Sequence, residues 1–396
     1  MNTETLKIFD TTLRDGKQTP GINHLTIGHE LKLAKKLDQL GIDVIEAGYP
    51  ANSRQEMEAV RGIALQVRRP VICAIARAIP ADIEAAWEGI KDAAHPRIHV
   101  FISSSGIHLN HQLRKSKEEV IEMAVAGVRK AKEYTPDVEF SPMDATRSDP
   151  KFVYELVEAA IQAGATTVNI ADTLGYAMPA EFANLIGNIL DDKNIRSIKK
   201  VILSVHCHDD LGNAVSNSLE AVRKGARQVE GCINGVGERA GNAALEEVVM
   251  AIHARPDYFS VKTNINTQEI YSTSNLVKEL TGVLVQPNKA IVGRNAFRHQ
   301  SGIHQDGMAK SRETYEIFDP KLVGRKSEIV IGKTSGKTGV DAKLKEIGIV
   351  FDQNQFGVIY DTVKARVCSG RINDEEIKKI AMQVLKQKPD LLSSKV

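Results

Sequence analysis

The chain has 396 residues, enough to bury a large hydrophobic core and to form one large domain with smaller ones attached. Its 52 lysines and arginines nearly balance 50 aspartates and glutamates, and a net charge of +2 excludes a global field that would attract nucleic acid or an anionic membrane. The N-terminus has no signal-peptide pattern, and no window approaches the roughly 18 apolar residues of a spanning helix. We therefore expect a cytoplasmic protein that binds neither nucleic acid nor membranes.

Short apolar runs alternate with longer amphipathic stretches up to about residue 252. The amphipathic stretches predict helices, and several end on a glycine such as Gly41, which is typical of a helix C-terminus. Eight βα units in about 250 residues predict a TIM (β/α)8 barrel, a fold of the α/β class. A doubly wound sheet is the alternative, but no glycine-rich phosphate-binding turn follows the first strand. The predicted strands are residues 6–10, 43–48, 71–76, 98–103, 138–142, 166–172, 201–208 and 227–235.

The pattern changes beyond residue 255, where helices are predicted over 266–282 and 373–389 with a polar, glycine-rich segment between them. We expect a catalytic barrel at residues 1–255, extending to about 270, followed by small, mainly helical subdomains. The first of these is a linker or subdomain at 266–340 that covers the active site. The second is a helical subdomain at 341–396, frayed over its last seven residues, DLLSSKV.

A group of polar residues falls where strands end. His206 and His208 in the segment SVHCHDDLG share one face of the seventh strand, because side chains alternate along a strand. Asp15 ends the first strand and Asn242 follows the eighth, and closure of the barrel brings these strands beside the seventh. One carboxylate, two imidazoles and one amide suit Mn²⁺, Zn²⁺, Co²⁺ or Mg²⁺ acting as a Lewis acid. The alternative is a pair of histidines hydrogen-bonded in a polar barrel top.

Six motifs run in order from about residue 5 to about residue 340: DTTLRDGxQ, FSPxDATRSD, ADTLGY, HCHDDLGxAVxNSLxAVxxGAxQVE, NGxGERAGNAxLEEVVMA and SGIHQDG. They resemble the 2-isopropylmalate synthase family, which includes homocitrate and citramalate synthase relatives. The resemblance implies an acyltransferase that condenses acetyl-CoA with a 2-oxo acid and then hydrolyses the thioester. It favours 2-oxoisovalerate as the oxo acid, giving 2-isopropylmalate and CoA for leucine biosynthesis, and implies a homodimer that exchanges subdomains over the active site.

The resemblance also assigns roles to individual residues. Arg14 would bind the oxo acid and stabilise the oxyanion that develops on its carbonyl, and Thr173 would donate its hydroxyl to the oxo-acid carboxylate. Glu238 would act within the same site, while His304 and Tyr315 resemble residues that a post-barrel subdomain brings over it from the partner subunit. His304 could act as an acid or a base, although the group that takes the methyl proton stays open. The implied metal ligands, with Mn²⁺ the first expectation, are Asp15, His206, His208 and Asn242.

Two positions depart from the family pattern. The relatives usually read LRDGEQ where this chain has Lys17, and they carry an acid where it has Met143. A thioether cannot take a proton but can fill an apolar pocket, so the substrate pocket has become more apolar or turnover is reduced. Substrate choice would then depend on side chains near the pocket, among them Arg77, Glu139 and Met143.

Several alternatives stay open at this stage. Citramalate synthase would use pyruvate, and a specialised homologue would use another oxo acid. Homocitrate synthase would use 2-oxoglutarate, but its basic residue on the fifth strand is replaced by Glu139. A hydroxymethylglutaryl-CoA lyase would carry a reactive cysteine in the loop at 235–242, which has none, and a catalytically degenerate paralogue is the non-enzymatic alternative. Because the chain stops at Val396 without the leucine-binding domain found in many relatives, we expect no feedback inhibition by leucine.

Overall fold

The computed structural model describes residues 4–193, 195, 201–370 and 372–386. Within this part, the chain forms two compact units. The first runs to Val285 and includes Ala290–Val292, whereas the second comprises Gln286–Lys289 and the chain from Gly293 onward. No helix in the described ranges is long and apolar enough to cross a membrane.

Eight parallel strands of the first unit close into a barrel in which each strand pairs with the next and the last pairs with the first. This confirms the predicted TIM barrel, and the eighth strand ends at Gly231, earlier than residue 235, because a 3₁₀ turn occupies Ile233–Gly235. The strands are β1 Lys7–Asp10, β2 Val44–Gly48, β3 Val71–Arg77, β4 Pro96–Ser103, β5 Val138–Met143, β6 Thr167–Asp172, β7 Ile202–Cys207 and β8 Gln228–Gly231.

Helices follow the strands, and capping residues mark their ends, among them the predicted Gly41. Thr26 caps the first helix by accepting a hydrogen bond from the His29 amide, and Gly41 ends it with a φ of 96°. A β-carbon at Gly41 would lie 2.6 Å from the Asn264 carbonyl oxygen, so glycine is also required by packing. The described α-helices of this unit that are longer than four residues are α1 Ile27–Leu40, α2 Arg54–Gln66, α3 Pro80–Ile90, α4 Lys117–Lys132, α5 Pro150–Ala163, α6 Pro179–Asp191, α7 Ala214–Lys224, α8 Leu245–Ala254 and α9 Ile270–Thr281.

The barrel interior contains polar and charged layers, unlike the branched apolar layers that fill many barrels of this type. Near the N-terminal ends of the strands, Arg97 NH1 donates to Glu139 Oε2 and to Gln228 Oε1, each at 3.0 Å. Gln228 Nε2 in turn donates to Glu139 Oε1 at 2.9 Å. This buried network satisfies its own polar groups, and it forms the floor on which the C-terminal end of the barrel is built.

The second unit has its own apolar core, which includes Val340, Leu344, Ile359 and Val363. A short parallel strand pair joins Arg298–His299 to Glu328–Ile329. The helix predicted over 373–389 is found at Asp374–Lys386, and the segment expected to fray lies outside the described residues. The helices of this unit are α10 Gly302–Lys310, α11 Lys337–Glu346, α12 Gln353–Cys368 and α13 Asp374–Lys386.

Candidate functional site

Three buried ligand-type side chains meet at the C-terminal rim of the barrel. Asp15, His206 and His208 each offer one atom, and these atoms lie within 4.8 Å of one another. Asp15 Oδ2 is 3.9 Å from His206 Nε2 and 3.6 Å from His208 Nε2. The loop after β1 and the end of β7 thus aim a carboxylate and two imidazoles at one point.

Asn242 completes this group from the loop after β8. Its Nδ2 donates to Asp15 Oδ1 at 2.7 Å and to the Val236 carbonyl at 3.3 Å. Its Oδ1 is buried and has no hydrogen-bond partner among the described residues. A buried amide oxygen without a partner costs free energy, and a cation beside it would remove that cost. The donor set therefore fits a divalent metal ion of the kind that takes mixed nitrogen and oxygen ligands.

Electrostatics keep these groups in the forms that bind metals. Burial lowers the pKa of both His206 and His208 to about 4, so the imidazoles are neutral near pH 7. Burial alone would raise the pKa of Asp15, but the positive charge of Arg14 and the nearby histidines hold it below its ordinary value. Glu230 Oε2 lies 3.2 Å from His206 Nδ1, which orients the ring so that Nε2 faces Asp15.

Arg14 is fixed between two carboxylates at the edge of this cluster. Its Nε donates to Glu46 Oε2 at 2.5 Å and its NH1 donates to Asp15 Oδ2 at 2.6 Å. Glu46 Oε1 also lies 2.8 Å from His99 Nδ1, and His99 Nε2 lies 2.7 Å from Ser141 Oγ. A chain of buried polar groups thus holds the guanidinium in place, and the sequence analysis did not include Glu46, His99 or Ser141 in the site.

A cavity of about 270 Å³ opens next to the cluster. The side next to the cluster carries the charged groups described above, and the opposite wall carries apolar side chains from four strands, β3 to β6. Tyr49, which directly follows β2, also lines the cavity, and its hydroxyl donates to Asp82. The apolar wall consists of Ile75, Phe101, Met143 and Ala171.

Thr173 and Glu238 both line this cavity. Thr173 Oγ1 accepts a hydrogen bond from the Asp144 amide at 2.9 Å, so its hydroxyl hydrogen is free to point toward an acceptor in the cavity. The Glu238 amide donates to Asp15 Oδ1 at 3.0 Å, which ties the loop after β8 to the carboxylate of the cluster.

Arg239 connects the loops of three strands. Its Nε and NH2 donate to the two oxygens of Asp210, each at 2.9 Å, and NH2 also donates to the Thr173 carbonyl at 2.6 Å. Arg239 has a positive φ of 55°, which non-glycine residues seldom adopt. A β-carbon on Gly237 would collide with the Asn242 side-chain amide, so the loop approaches the cluster only because this residue is glycine.

Two residues assigned to the substrate pocket from sequence do not line the cavity. Arg77 ends β3, but its guanidinium donates two hydrogen bonds, of 2.7 and 3.0 Å, to the carboxylate of Asp82 in the first turn of α3. Its side chain is 58% exposed. Glu139 faces the barrel interior like Met143, but it lies four residues earlier on β5 and binds Arg97 in the floor network.

Lys17 also points away from the cavity. Its Nζ donates to Glu30 Oε2 at 2.9 Å and to Glu56 Oε2 at 2.7 Å. These carboxylates belong to α1 and α2, so the lysine links the loop after β1 to the two helices beside it. Its role in this structure is an ion-pair contact among helices.

His304 and Tyr315 lie in the second unit. Their rings stack with centroids 3.9 Å apart and planes inclined by 20°. His304 is on α10, and Tyr315 follows the 3₁₀ turn Arg312–Thr314 with 39% of its surface exposed. An imidazole and a phenol are thereby placed side by side near the surface of this unit.

Comparison with known proteins identifies the family. A family model described as HMGL-like matches residues 5–277, and one described as homocitrate synthase post-HMGL domain-like matches residues 291–370. A 2-isopropylmalate synthase from Syntrophus aciditrophicus is 52% identical over 380 residues, which cover 96% of this chain and 73% of that protein. One from Pyrococcus furiosus is 54% identical over 360 residues, covering 91% and 72%.

The chain belongs to the 2-isopropylmalate synthase family. The family assignment made from the six motifs is thus confirmed, as is the prediction of an acyltransferase-type enzyme. Enzymes of the 2-isopropylmalate synthase family depend on a divalent metal and use acetyl-CoA with a 2-oxo acid, which agrees with the donor set at the barrel rim.

The fold of this 2-isopropylmalate synthase family member also resembles that of solved hydroxymethylglutaryl-CoA lyases. A Bacillus subtilis HMG-CoA lyase matches with a TM-score of 0.61 at 20% identity, covering 74% of this chain and 97% of the lyase. A Pseudomonas aeruginosa hydroxymethylglutaryl-CoA lyase matches with a TM-score of 0.60 at 20% identity, covering 78% and 100%. At this identity the likeness concerns the fold alone.

Proposed function

We propose that this chain condenses acetyl-CoA with 2-oxoisovalerate to give 2-isopropylmalate and CoA. The thioester methyl group loses a proton, its carbon bonds to the ketone carbon of the oxo acid, and the ketone oxygen takes up a proton. Water then cleaves the thioester and releases CoA. The observation that carries this proposal is the four-donor cluster with its unpartnered Asn242 oxygen, beside a cavity with an apolar wall.

The metal would be held by the carboxylate, two imidazoles and amide oxygen of the cluster. When bound, the divalent ion supplies Lewis-acid polarisation of the ketone and of the charge that develops on its oxygen. Mn²⁺ is the proposed metal, with Mg²⁺, Zn²⁺ and Co²⁺ as alternatives that the same donors accept. The proposed ligands are Asp15, His206, His208 and Asn242.

The other charged and polar groups would position the oxo acid. Arg14 keeps a fixed positive charge at the cavity edge, where it can stabilise the oxygen that becomes negative during bond formation. Thr173 would donate its hydroxyl to the oxo-acid carboxylate, and Glu238 would act in the same cavity. These groups are held by hydrogen bonds from the surrounding loops, so little reorganisation is needed when substrate binds.

The apolar wall favours a branched aliphatic side chain on the oxo acid. An isopropyl group would lie against carbon and sulfur atoms of Ile75, Phe101 and Met143. The second carboxylate of 2-oxoglutarate would have to face this wall, which has no cationic side chain among its described residues, and Arg77 is bound to Asp82 outside the cavity. Pyruvate would leave the wall unfilled, at a cost of about 1–3 kcal/mol for each missing methylene.

We also propose that the enzyme works as a homodimer in which each subunit supplies His304 and Tyr315 to the barrel of the other. Support comes from the likeness of the segments SGIHQDG and RETYEIF to those that serve this purpose in the family. His304 would act as an acid or base, since imidazole changes its charge near neutral pH.

A thiol-release assay tests the condensation. Purified chain is treated with a chelator, then supplied with Mn²⁺, acetyl-CoA and one of pyruvate, 2-oxobutyrate, 2-oxoisovalerate or 2-oxoglutarate. We expect release of free CoA that requires the metal and is fastest with 2-oxoisovalerate. Fastest release with another oxo acid would replace the proposed substrate, and the absence of release with all four would contradict the activity.

A further inference from the structure

The second unit contains a large cleft of its own. Its volume is about 840 Å³, within the range of small-molecule sites. Three segments form it: the start of the unit around Arg298, the loop at Ile331–Lys333, and the end of α12 around Cys368. All of them belong to the second unit, and the cleft shares no lining residue with the barrel cavity described above.

The cleft carries excess positive charge. Arg294, Arg298 and Lys333 line it, and none of its lining residues is acidic. Arg298 Nε donates to Glu328 Oε2 at 2.7 Å, which neutralises one of the three cations. Arg294 and Lys333 are exposed and have no ion pair with any described residue. Two uncompensated cations in one concave surface attract a ligand with more than one negative charge.

The rest of the lining suits a flat organic group. Val330, Ile331 and Val367 supply apolar surface, and the last two are buried parts of the core of this unit. The side-chain amides of Asn295 and Gln300 stand at the cleft with both donor and acceptor atoms. Apolar walls with a few amides are a common lining of small-molecule sites, and a nucleobase offers such a lining an apolar face and a polar edge.

We propose that this cleft binds a nucleoside phosphate. Arg294 and Lys333 would hold the phosphate groups through charge-assisted hydrogen bonds, and the base would lie on the apolar surface with its edge toward the amides. A phosphorylated nucleoside can come from two sources, a free nucleotide or the adenosine 3′,5′-bisphosphate portion of a CoA thioester. The proposal concerns ligand binding by the second unit and does not depend on the condensation reaction.

Calorimetry on the full chain tests the proposal with three probes: ADP, adenosine 3′,5′-bisphosphate and inorganic phosphate. The variants are R294Q, K333Q and the double variant, and the control is K321Q, which changes an exposed lysine of the same unit that does not line the cleft. All three changed residues are exposed, so the thermal unfolding temperatures should stay the same.

At least one adenosine probe should bind, more tightly than inorganic phosphate. The double variant should weaken that binding about tenfold or more, because two charge-assisted contacts are lost, and K321Q should leave it within about twofold. Tighter binding of adenosine 3′,5′-bisphosphate than of ADP would point to CoA as the source, and the reverse to a free nucleotide. The proposal would be overturned if neither adenosine probe binds, or if inorganic phosphate binds as tightly as the adenosine probes. It would also be overturned if the double variant binds the adenosine probes with the same affinity as the parent chain.

Discussion

At the scale of single residues, Met143 defines the apolar side of the barrel cavity. It ends β5 and lines the same cavity as the cluster of Asp15, His206 and His208, so under the proposed function a change there would act directly on bound substrate. The resemblance to the family implies an acid in this position, and a carboxylate would place a second negative charge near the carboxylate of the oxo acid. Replacement of an acid by a thioether can therefore change the substrate preference or the turnover rate, and kinetics of a variant distinguish the two.

Replacing this side chain tests that role. We expect Met143→Glu to raise the KM for 2-oxoisovalerate about tenfold, because a charge replaces an apolar contact, with a smaller effect for pyruvate. Met143→Leu keeps volume and polarity and serves as the matched control, with kinetics within about twofold of the parent. Steady-state kinetics with both oxo acids give the answer. If rate and preference are the same in Met143→Glu as in the parent chain, Met143 does not control the pocket.

Asn242 offers a test of the metal cluster that does not depend on turnover. Its buried Oδ1 has no partner among the described residues, so removing it should remove a ligand and leave the barrel intact. We expect Asn242→Ala to weaken Mn²⁺ binding about 10- to 100-fold, measured by electron paramagnetic resonance or calorimetry. Asn184→Ala on the exposed side of α6 is the control and should bind Mn²⁺ like the parent chain. Equal Mn²⁺ affinity in both variants would mean that Asn242 is no ligand.

The residues of the cavity differ in how visible they are from sequence. Asp15 and His208 follow strand ends, where the barrel rule predicts function, and Tyr49 occupies the same kind of position and could have been found by the same rule. Glu46 and His99 lie inside strands, where alternation shows which face a side chain takes but not what it meets. Their contacts depend on the stagger between neighbouring strands, which is determined only when the barrel closes.

At the scale of elements, the order of strands and helices could be predicted from the periodicity of hydrophobic residues. The direction in which side chains point at the strand ends could not. Arg77 leaves the cavity because Asp82 on α3 attracts its guanidinium, an effect of packing between elements. Lys17 is a similar case, since its ammonium group is drawn to carboxylates on two helices. Local sequence shows each charge, and tertiary structure decides its partner.

Lys17 should stabilise the junction of α1 and α2 with β1. Its removal in Lys17→Met leaves Glu30 and Glu56 facing each other with little exposure, at a cost of about 3 kcal/mol in the free energy of unfolding. Burial already raises the pKa of Glu30, and loss of the ammonium charge raises it further. The folded variant then takes up protons more readily than the unfolded chain, so its deficit should shrink as the pH falls from 7 toward 5.

Urea unfolding at both pH values measures this effect. Lys35→Met, which removes an exposed lysine from α1, the helix that carries Glu30, is the control and should change stability by less than about 0.5 kcal/mol at either pH. A deficit in Lys17→Met that matches the control, or one that grows on acidification, would show that the ion-pair cluster does not stabilise the fold.

At the scale of the whole molecule, the barrel could be predicted because its signal repeats eight times, so an error in one strand does not change the count. The second unit gives no such repetition, and its short strand pair of two residues each is below what periodicity can detect. Its core is visible only in three dimensions, where side chains of the helices α11, α12 and α13 come together with Ile329 and Ile331 from the second strand of the pair and the loop after it.

Mixing two inactive variants tests whether active sites are shared between subunits. Arg14→Ala should inactivate the barrel site, and His304→Ala should inactivate the contribution of the second unit, so each homodimer is inactive. If each site combines a barrel from one subunit with His304 from the other, random exchange makes half of the dimers mixed, and one site of each mixed dimer is intact. Activity should then recover to about one quarter of the parent value.

The control for this experiment is a mixture of Arg14→Ala with Arg14→Ala,His304→Ala, in which no combination yields an intact site, so it should stay inactive. Exchange is confirmed separately by mass spectrometry of tagged subunits. A site made wholly within one subunit predicts a different result, because in a mixed dimer each barrel then keeps its own defect. Confirmed exchange without recovery of activity would therefore contradict the shared site, while leaving the assignment of Arg14 and His304 to catalysis in place.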